Sequence, residues 1–312
     1  SYALRTISLA LDVAEDMGVL CPEAALLDVT NPMPRVITAV NGFTDTLCHG
    51  FCNVAYRGSS GYVWLSGLVN RDHSEIDVVT AGLNHFAWLV SISDQATGED
   101  LMPRVREAVM TGDAPEFAVL RRWWERYGAL SVPGVSHAAE YLPTEPDLTY
   151  RLSPPYHGTP DERRERLERL QAAAEGRLDW RDVLDHGSWE HPVDVAAAIS
   201  TGAELDVPIL NLPNADYLEG VPSGRVVEVP ARISGGVLRG VAVGALPETT
   251  IGICRQVSDV HELVAEGAAT GNRDALVRSI EVDPAIADKA AAVRLLDRLI
   301  AAHRDLLPRF AG

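Results

Sequence analysis

Apolar residues at Leu4, Ile7, Ala10, Leu11 and Ala14 recur at helical spacing and predict a helix over 3–18, closing near Gly18. The next apolar run, Ala24 to Thr30, is continuous, as in a buried strand, and Asn31-Pro32 stops it. A helix over 33–42 and a short strand at Thr44–Cys48 follow. Ser59–Leu65 and Ile76–Thr80 are weaker strand patterns, and Phe86–Ile92 is a stronger one. Asp100–Gly112, Phe117–Tyr127 and Asp161–Glu175 have helical periods, while the prolines between 143 and 160 predict a loop. A helix at 193–202 precedes strands at Pro208–Leu212 and Val226–Pro230, and helices dominate from Pro247 to Leu307. Helix, apolar strand, then polar loop is the order of a doubly wound α/β sheet, which binds ligands beyond the carboxyl ends of its strands. The early polar loops are therefore where chemistry is expected.

Composition narrows the choice of partner. The 27 basic residues are outnumbered by 44 acidic ones, giving a net charge of −17 that disfavours nucleic acid and anionic membranes. No apolar run approaches the ~20 residues of a membrane span, and SYALRTISLA lacks the apolar core of a secretory leader. Four scattered cysteines (Cys21, Cys48, Cys52, Cys254) are too few for a disulfide framework, so a reduced, cytoplasmic location is expected.

Three clusters carry residue types suited to catalysis. TLCHGFC (46–52) sets His49 between Cys48 and Cys52, at a spacing that fits neither zinc knuckles nor thioredoxin-like pairs. A cysteine in such a run is equally readable as a small buried hydrophobe. Asn84-His85 stands at the mouth of the Phe86 strand, as a ligand or as a structural histidine. Ser136–Pro143 holds His137, Glu140 and Tyr141, each able to serve as acid or base. His137 and Tyr141, four apart, share one face if the segment is helical; a helix end before a proline is the plainer reading.

Taken in order, NPMPR (31–35), LCHG (47–50), GLNHFAW (82–88) and HAAEYLP (137–143) resemble landmarks of glycoside hydrolase family 4. So do Asn211-Leu212-Pro213-Asn214, Val226 to Ala231, Gly244 to Pro247, Glu262-Leu263-Val264 and Asp283-Pro284. The resemblance runs from Arg5 to about Ala285, and nine motifs in register are far more specific than any one alone.

That resemblance implies a glycosidase using NAD+ and a divalent cation, usually Mn2+, by C3 oxidation, C2 deprotonation and elimination. It is a route outside the two-carboxylate schemes. It implies Cys48 and His85 as metal ligands, Tyr141 as the C2 base and His49 as a leaving-group or substrate contact. Asn31 would lie between sugar and nicotinamide, with Asn84, His137 and Glu140 on the substrate side. The implied fold is a remnant of a Rossmann-like doubly wound sheet (1–46) followed by a larger α+β substrate- and metal-binding domain (47–312), as in the lactate/malate dehydrogenase superfamily. The family's glycine-rich phosphate turn has no counterpart near Ser1, so two or three βαβ units are expected to be absent from this chain. The substrate implied is a non-phosphorylated α-hexoside or α-galacturonide, and the assembly a homodimer or homotetramer. A sulfoquinovosidase or other anionic-sugar enzyme of the same mechanism, and a metal-free dehydrogenase, are the alternatives. Arg35, Arg57 and Arg71 are candidate anion contacts, and Cys52 is expected to pack.

Overall fold

The structure is a computed structural model that describes residues 2–52, 54–143, 159–183 and 190–310. In chain order the elements are α1 (Tyr2–Leu20), β1 (Leu26–Asp28), α2 (Met33–Phe43), β2 (Cys48–Gly50), α3 (Ser60–Val69), β3 (Ile76–Leu83) and β4 (Phe86–Asp94). Then come α4 (Met102–Thr111), α5 (Pro115–Tyr127), β5 (Ser131–Val132), α6 (Val135–Ala138), α7 (Pro160–Ala174), α8 (Pro192–Thr201) and β6 (Leu205–Pro213). The chain ends with β7 (Val226–Ser234), β8 (Val237–Gly240), α9 (Glu248–Thr270), α10 (Arg273–Val282) and α11 (Lys289–Ala302).

Residues 1–145 and 190–312 form one compact unit, and 146–189 a second, small one that contains α7. The strands of the first unit make a mixed sheet ordered β1-β2-β6-β7-β3-β4-β5, with β8 on β7. β1 and β2, on either side of residue 46, pair in parallel; β2–β6 and the other pairings are antiparallel. One face of the β1–β2 end is covered by α1, α2 and α9, whose Leu4, Ile7, Leu11, Val36, Ile37, Val40 and Val264 form a continuous core. The mixed α/β fold agrees with the expectation from sequence.

Two elements differ from it. Ser59–Leu65, expected as a strand, is the start of α3: its buried positions, Gly61, Tyr62, Leu65, Ser66 and Val69, recur with a helical period that outweighs the β-forming Tyr, Val and Trp. The second strand begins at Cys48 rather than ending there. The loop expected over 143–160 falls largely outside the described residues. Among the described residues, no helix is long and apolar enough to cross a membrane.

Candidate active site and metal centre

The parallel register Leu26↔Cys48, Leu27↔His49 and Asp28↔Gly50 is extended by a bond from the Phe51 N–H to the Asp28 carbonyl at 2.9 Å. Cys48 is therefore inside the strand. It is fully buried in the core beside α2, and Asn41 takes up its backbone, accepting from its N–H at 3.0 Å and donating to its carbonyl at 2.9 Å. Burial, reinforced by the nearby Asp28 carboxyl, raises the thiol well above its ordinary value. The structure thus places Cys48 among hydrocarbon side chains. His49 alternates to the opposite face from Gly50, where a Cβ would meet Ile37 of α2 at 2.3 Å. Buried and with an unpartnered Nδ1, its imidazole is pushed down to about 4 by desolvation and stays neutral. It lies in the strand rather than at its mouth, so the expected leaving-group contact is not what the geometry offers.

The rim of the sheet is different. Cys52 follows the last ladder bond, and its thiol lies close enough to the His85 ring to favour the charged imidazole. His85 belongs to the two-residue turn between β3 and β4 and holds a left-handed φ of 59°. A left-handed non-glycine residue of this kind marks a constraint imposed by its surroundings. The turn is anchored by buried Asn84, whose side-chain amide donates to Glu228 Oε2 of β7 at 2.9 Å. Asn211 of β6 donates to the same oxygen, also at 2.9 Å. Gly82, at φ 147° opposite Glu228, completes the support: a Cβ there would lie 2.4 Å from the Phe86 carbonyl. Asn84, expected to bind substrate, is thus committed to holding the hairpin.

Glu140 brings its Oε2 to 3.6 Å from His85 Nδ1, and the His137 ring meets that of His85 edge-on at 4.5 Å. Burial by itself would lower the His85 pKa, but Cys52 and Glu140 together push it up to about 10. His137 moves down, first through burial and then through the charge on His85. His85, Glu140 and His137 are therefore neighbours, and the cysteine that acts on His85 is Cys52.

Tyr141 is not on a helical face with His137. The helix α6 stops at Ala138, a turn closed by Leu142 N–H to the Ala138 carbonyl follows, and the Tyr141 ring packs at 5.3 Å from Phe86 and 6.0 Å from His261. Burial raises its phenol above the ordinary value, while the charge of Arg35 opposes the rise. Asn31 is exposed at the end of the β1 loop, one turn before Arg35. Glu228, Asn211 and His261 adjoin these candidate residues and had no role assigned from sequence. The available signal was a polar side chain at the centre of an apolar strand or helix, where a buried partner is obligatory.

A thiol and an imidazole are donor types that suit a divalent transition cation. Among the described residues no three His, Cys, Asp or Glu side chains are arranged to hold a metal ion, so the protein donors offered here are a pair. A dinucleotide fits less completely. The rim of β1 offers a buried, unpartnered Asp28 Oδ2 and exposed Asn31. The parallel turn into α2, Val29 to Pro32, contains no glycine, so the described residues do not include a pyrophosphate cradle there.

The rim of the mixed sheet thus gathers Cys52, His85, Glu140 and His137, residue types suited to acid–base work on a small polar substrate. Sequence comparison makes the class specific. The profile of "Family 4 glycosyl hydrolase" matches residues 1–60, and that of the "Family 4 glycosyl hydrolase C-terminal domain" matches residues 80–286. The chain belongs to glycosyl hydrolase family 4 and is a glycoside hydrolase. An alpha-galactosidase of Bacillus subtilis is 24% identical, with 99% of this chain and 72% of that protein covered. An alpha-galacturonidase of Thermoanaerobacterium saccharolyticum is 26% identical over 91% of this chain and 66% of its own length. A 6-phospho-alpha-glucosidase from gut microorganisms, solved with NAD and Mn2+, shares the fold at a TM-score of 0.71, with 20% identity over 98% of this chain and 72% of that one. Family membership sets aside the metal-free dehydrogenase reading.

Proposed function

We propose that the protein cleaves an α-glycoside, a galacturonide or another non-phosphorylated hexoside, by oxidation at C3, deprotonation at C2 and elimination of the C1 substituent. The observation that carries this reading is the meeting of Cys52 and His85, with Glu140 alongside, at the sheet rim of a family 4 chain. Cys52 and His85 would hold the divalent cation, Mn2+ in the relatives, and the thiol would be deprotonated there. When bound, the cation supplies Lewis-acid charge to the sugar oxygens, and NAD+ supplies the hydride acceptor.

The chain's own residues supply the rest. Asn84, Asn211 and Glu228 fix the His85 turn, so the donor pair is preorganised before substrate arrives. Tyr141 is the base for the C2 proton; binding of positive charge at Cys52 and His85 would work with Arg35 to lower its raised pKa. His137 and Glu140, edge-on and ion-paired to His85, are placed to hold hydroxyls or move a proton to a departing oxygen. As part of the same reading the protein is a cytoplasmic homodimer or homotetramer, with residues 1–46 on the dinucleotide side and 47–312 on the sugar side.

The test is turnover of aryl α-glycosides with NAD+ and Mn2+ in D2O. Deuterium at C2 of the released sugar is expected; release without C2 exchange, or activity indifferent to EDTA, contradicts the mechanism.

A further inference from the structure

β2 runs antiparallel to β6, so beyond the Gly50↔Asn211 pairing the chain leaving β2 heads toward the first half of β6. Tyr56, His191, Asp194, Val195, Val207 and Pro208 line a cavity of about 270 Å3 there. Tyr56 follows Cys52 by four residues, which holds their Cα atoms within about 14 Å of each other. The cavity is thus a near neighbour of the rim that carries Cys52 and His85.

Its floor is aromatic. The rings of Tyr56 and His191 stand 5.1 Å apart and are tilted by only 31°. His191 holds a left-handed φ of 54° directly before Pro192, where extended backbone is the rule. Its Nδ1 is 2.9 Å from Asp194 Oδ2, a bond that fixes the imidazole beside Tyr56. A non-glycine residue held in this way is a feature of ligand clamps. Burial, helped by Asp194 and Glu190, pushes the Tyr56 phenol up to about 12, so it remains a neutral donor. Among the described residues, none hydrogen-bonds that hydroxyl.

The charges around the cavity are already matched. Asp194 is bonded to His191, and Asp206, also on the lining, is 3.4 Å from Arg232. Arg57, next to Tyr56, donates instead to Asp77 at 2.9 Å and to the Ser74 carbonyl at 2.6 Å. The lining therefore offers an anion no spare guanidinium and a cation no unshared carboxylate. What it offers is an aromatic face, apolar walls from Val195, Val207 and Pro208, and polar tips at the edge. A neutral sugar ring matches that combination, with its C–H face on the rings and its hydroxyls on the polar tips. The volume is close to the lower limit of ligand clefts, about 300 Å3, which suits one ring.

We propose that the cavity floored by Tyr56 and His191 is a subsite for a neutral hexose, the leaving group of a disaccharide or longer glycoside. The assignment of that hexose as leaving group rests on the glycosidase reading and adds its second sugar.

The test is a titration of the full chain, without metal or dinucleotide, followed by the histidine Cε1–H resonances in NMR, with the His191 signal identified by its loss in H191Q. D-Glucose or D-galactose should shift the His191 signal with a Kd of about 1–10 mM, the range for a ligand this small. Y56A should weaken that binding by about 10-fold, whereas Y56F, which keeps the ring, should retain most of it. A melting curve of Y56A that matches wild type shows that the loss is local. No response to either hexose, an equal response in Y56A, or a stronger response to methylammonium or acetate overturns the inference. Binding is read without turnover, so a hexose response with no C2 exchange counts against the glycosidase mechanism and leaves the sugar site standing. C2 exchange with no hexose response overturns the subsite alone.

Discussion

Cys48 and Cys52 stand four residues apart in one apolar stretch, each with a histidine nearby, and the fold gives them opposite properties. Cys48 and His49 lie inside β2, where burial keeps the thiol protonated and the imidazole neutral. Cys52 lies just past the strand, where its thiol meets His85 and the Glu140 carboxylate is close enough to favour an imidazolium. Desolvation dominates in the first pair. Specific partners outweigh it in the second. Which side of the last ladder bond a residue falls on therefore decides whether it meets hydrocarbon or polar partners.

The largest effect that can break this contrast is catalytic. H85A or C52A should lower kcat/KM for an aryl glycoside by roughly 100-fold or more, the scale expected when a metal ligand is lost. Equal loss in C48A would erase the distinction.

Next is the anchor of the His85 turn. E228A leaves the Asn84 and Asn211 amides unpaired in a buried site, at about 1–3 kcal/mol each. Urea unfolding should report a loss of about 3 kcal/mol. Burial raises the Glu228 pKa despite its two amide bonds, so the neutral E228Q should be much milder; an equal loss in both variants would show that the carboxylate charge itself is required.

The strand side is tested by pH. His49 has a folded pKa of about 4 against an ordinary 6.5, so the unfolded chain binds the proton first as pH falls. Its contribution to stability is complete above pH ~6.5 and fades between pH ~6.5 and ~4, amounting to about 3 kcal/mol at ~1.4 kcal/mol per unit. Unfolding of H49Q measured at several pH values should show a shallower slope across that window; an unchanged slope places His49 in contact with solvent. C48S is smaller still, with about 1–3 kcal/mol of stability lost to a buried hydroxyl.

Much of the fold was legible because its signals are local. The helical stripe of α1, the Asn31-Pro32 stop and the apolar run through Phe86–Ile92 each correspond to an observed element or its boundary. α3 was not, since Tyr62, Val63 and Trp64 favour strands and its period emerges only over ten residues. Of the candidate site residues, His85, Glu140 and His137 lie together in the structure. Ending the strand at Cys48 put that residue at the rim, whereas the ladder bond at Phe51 carries the rim to Cys52, the cysteine proposed here as the thiolate. Glu228 and His261 were out of reach because their meaning depends on partners 144 residues away, as with Asn84, or on another element, as with Tyr141.

The most direct measurement of the central claim is a Mn2+ titration followed by electron paramagnetic resonance on wild type, C48S and C52S. Wild type and C48S should bind the ion alike, and C52S should bind at least 10–100-fold more weakly. Retained binding in C52S with loss in C48S would contradict the account.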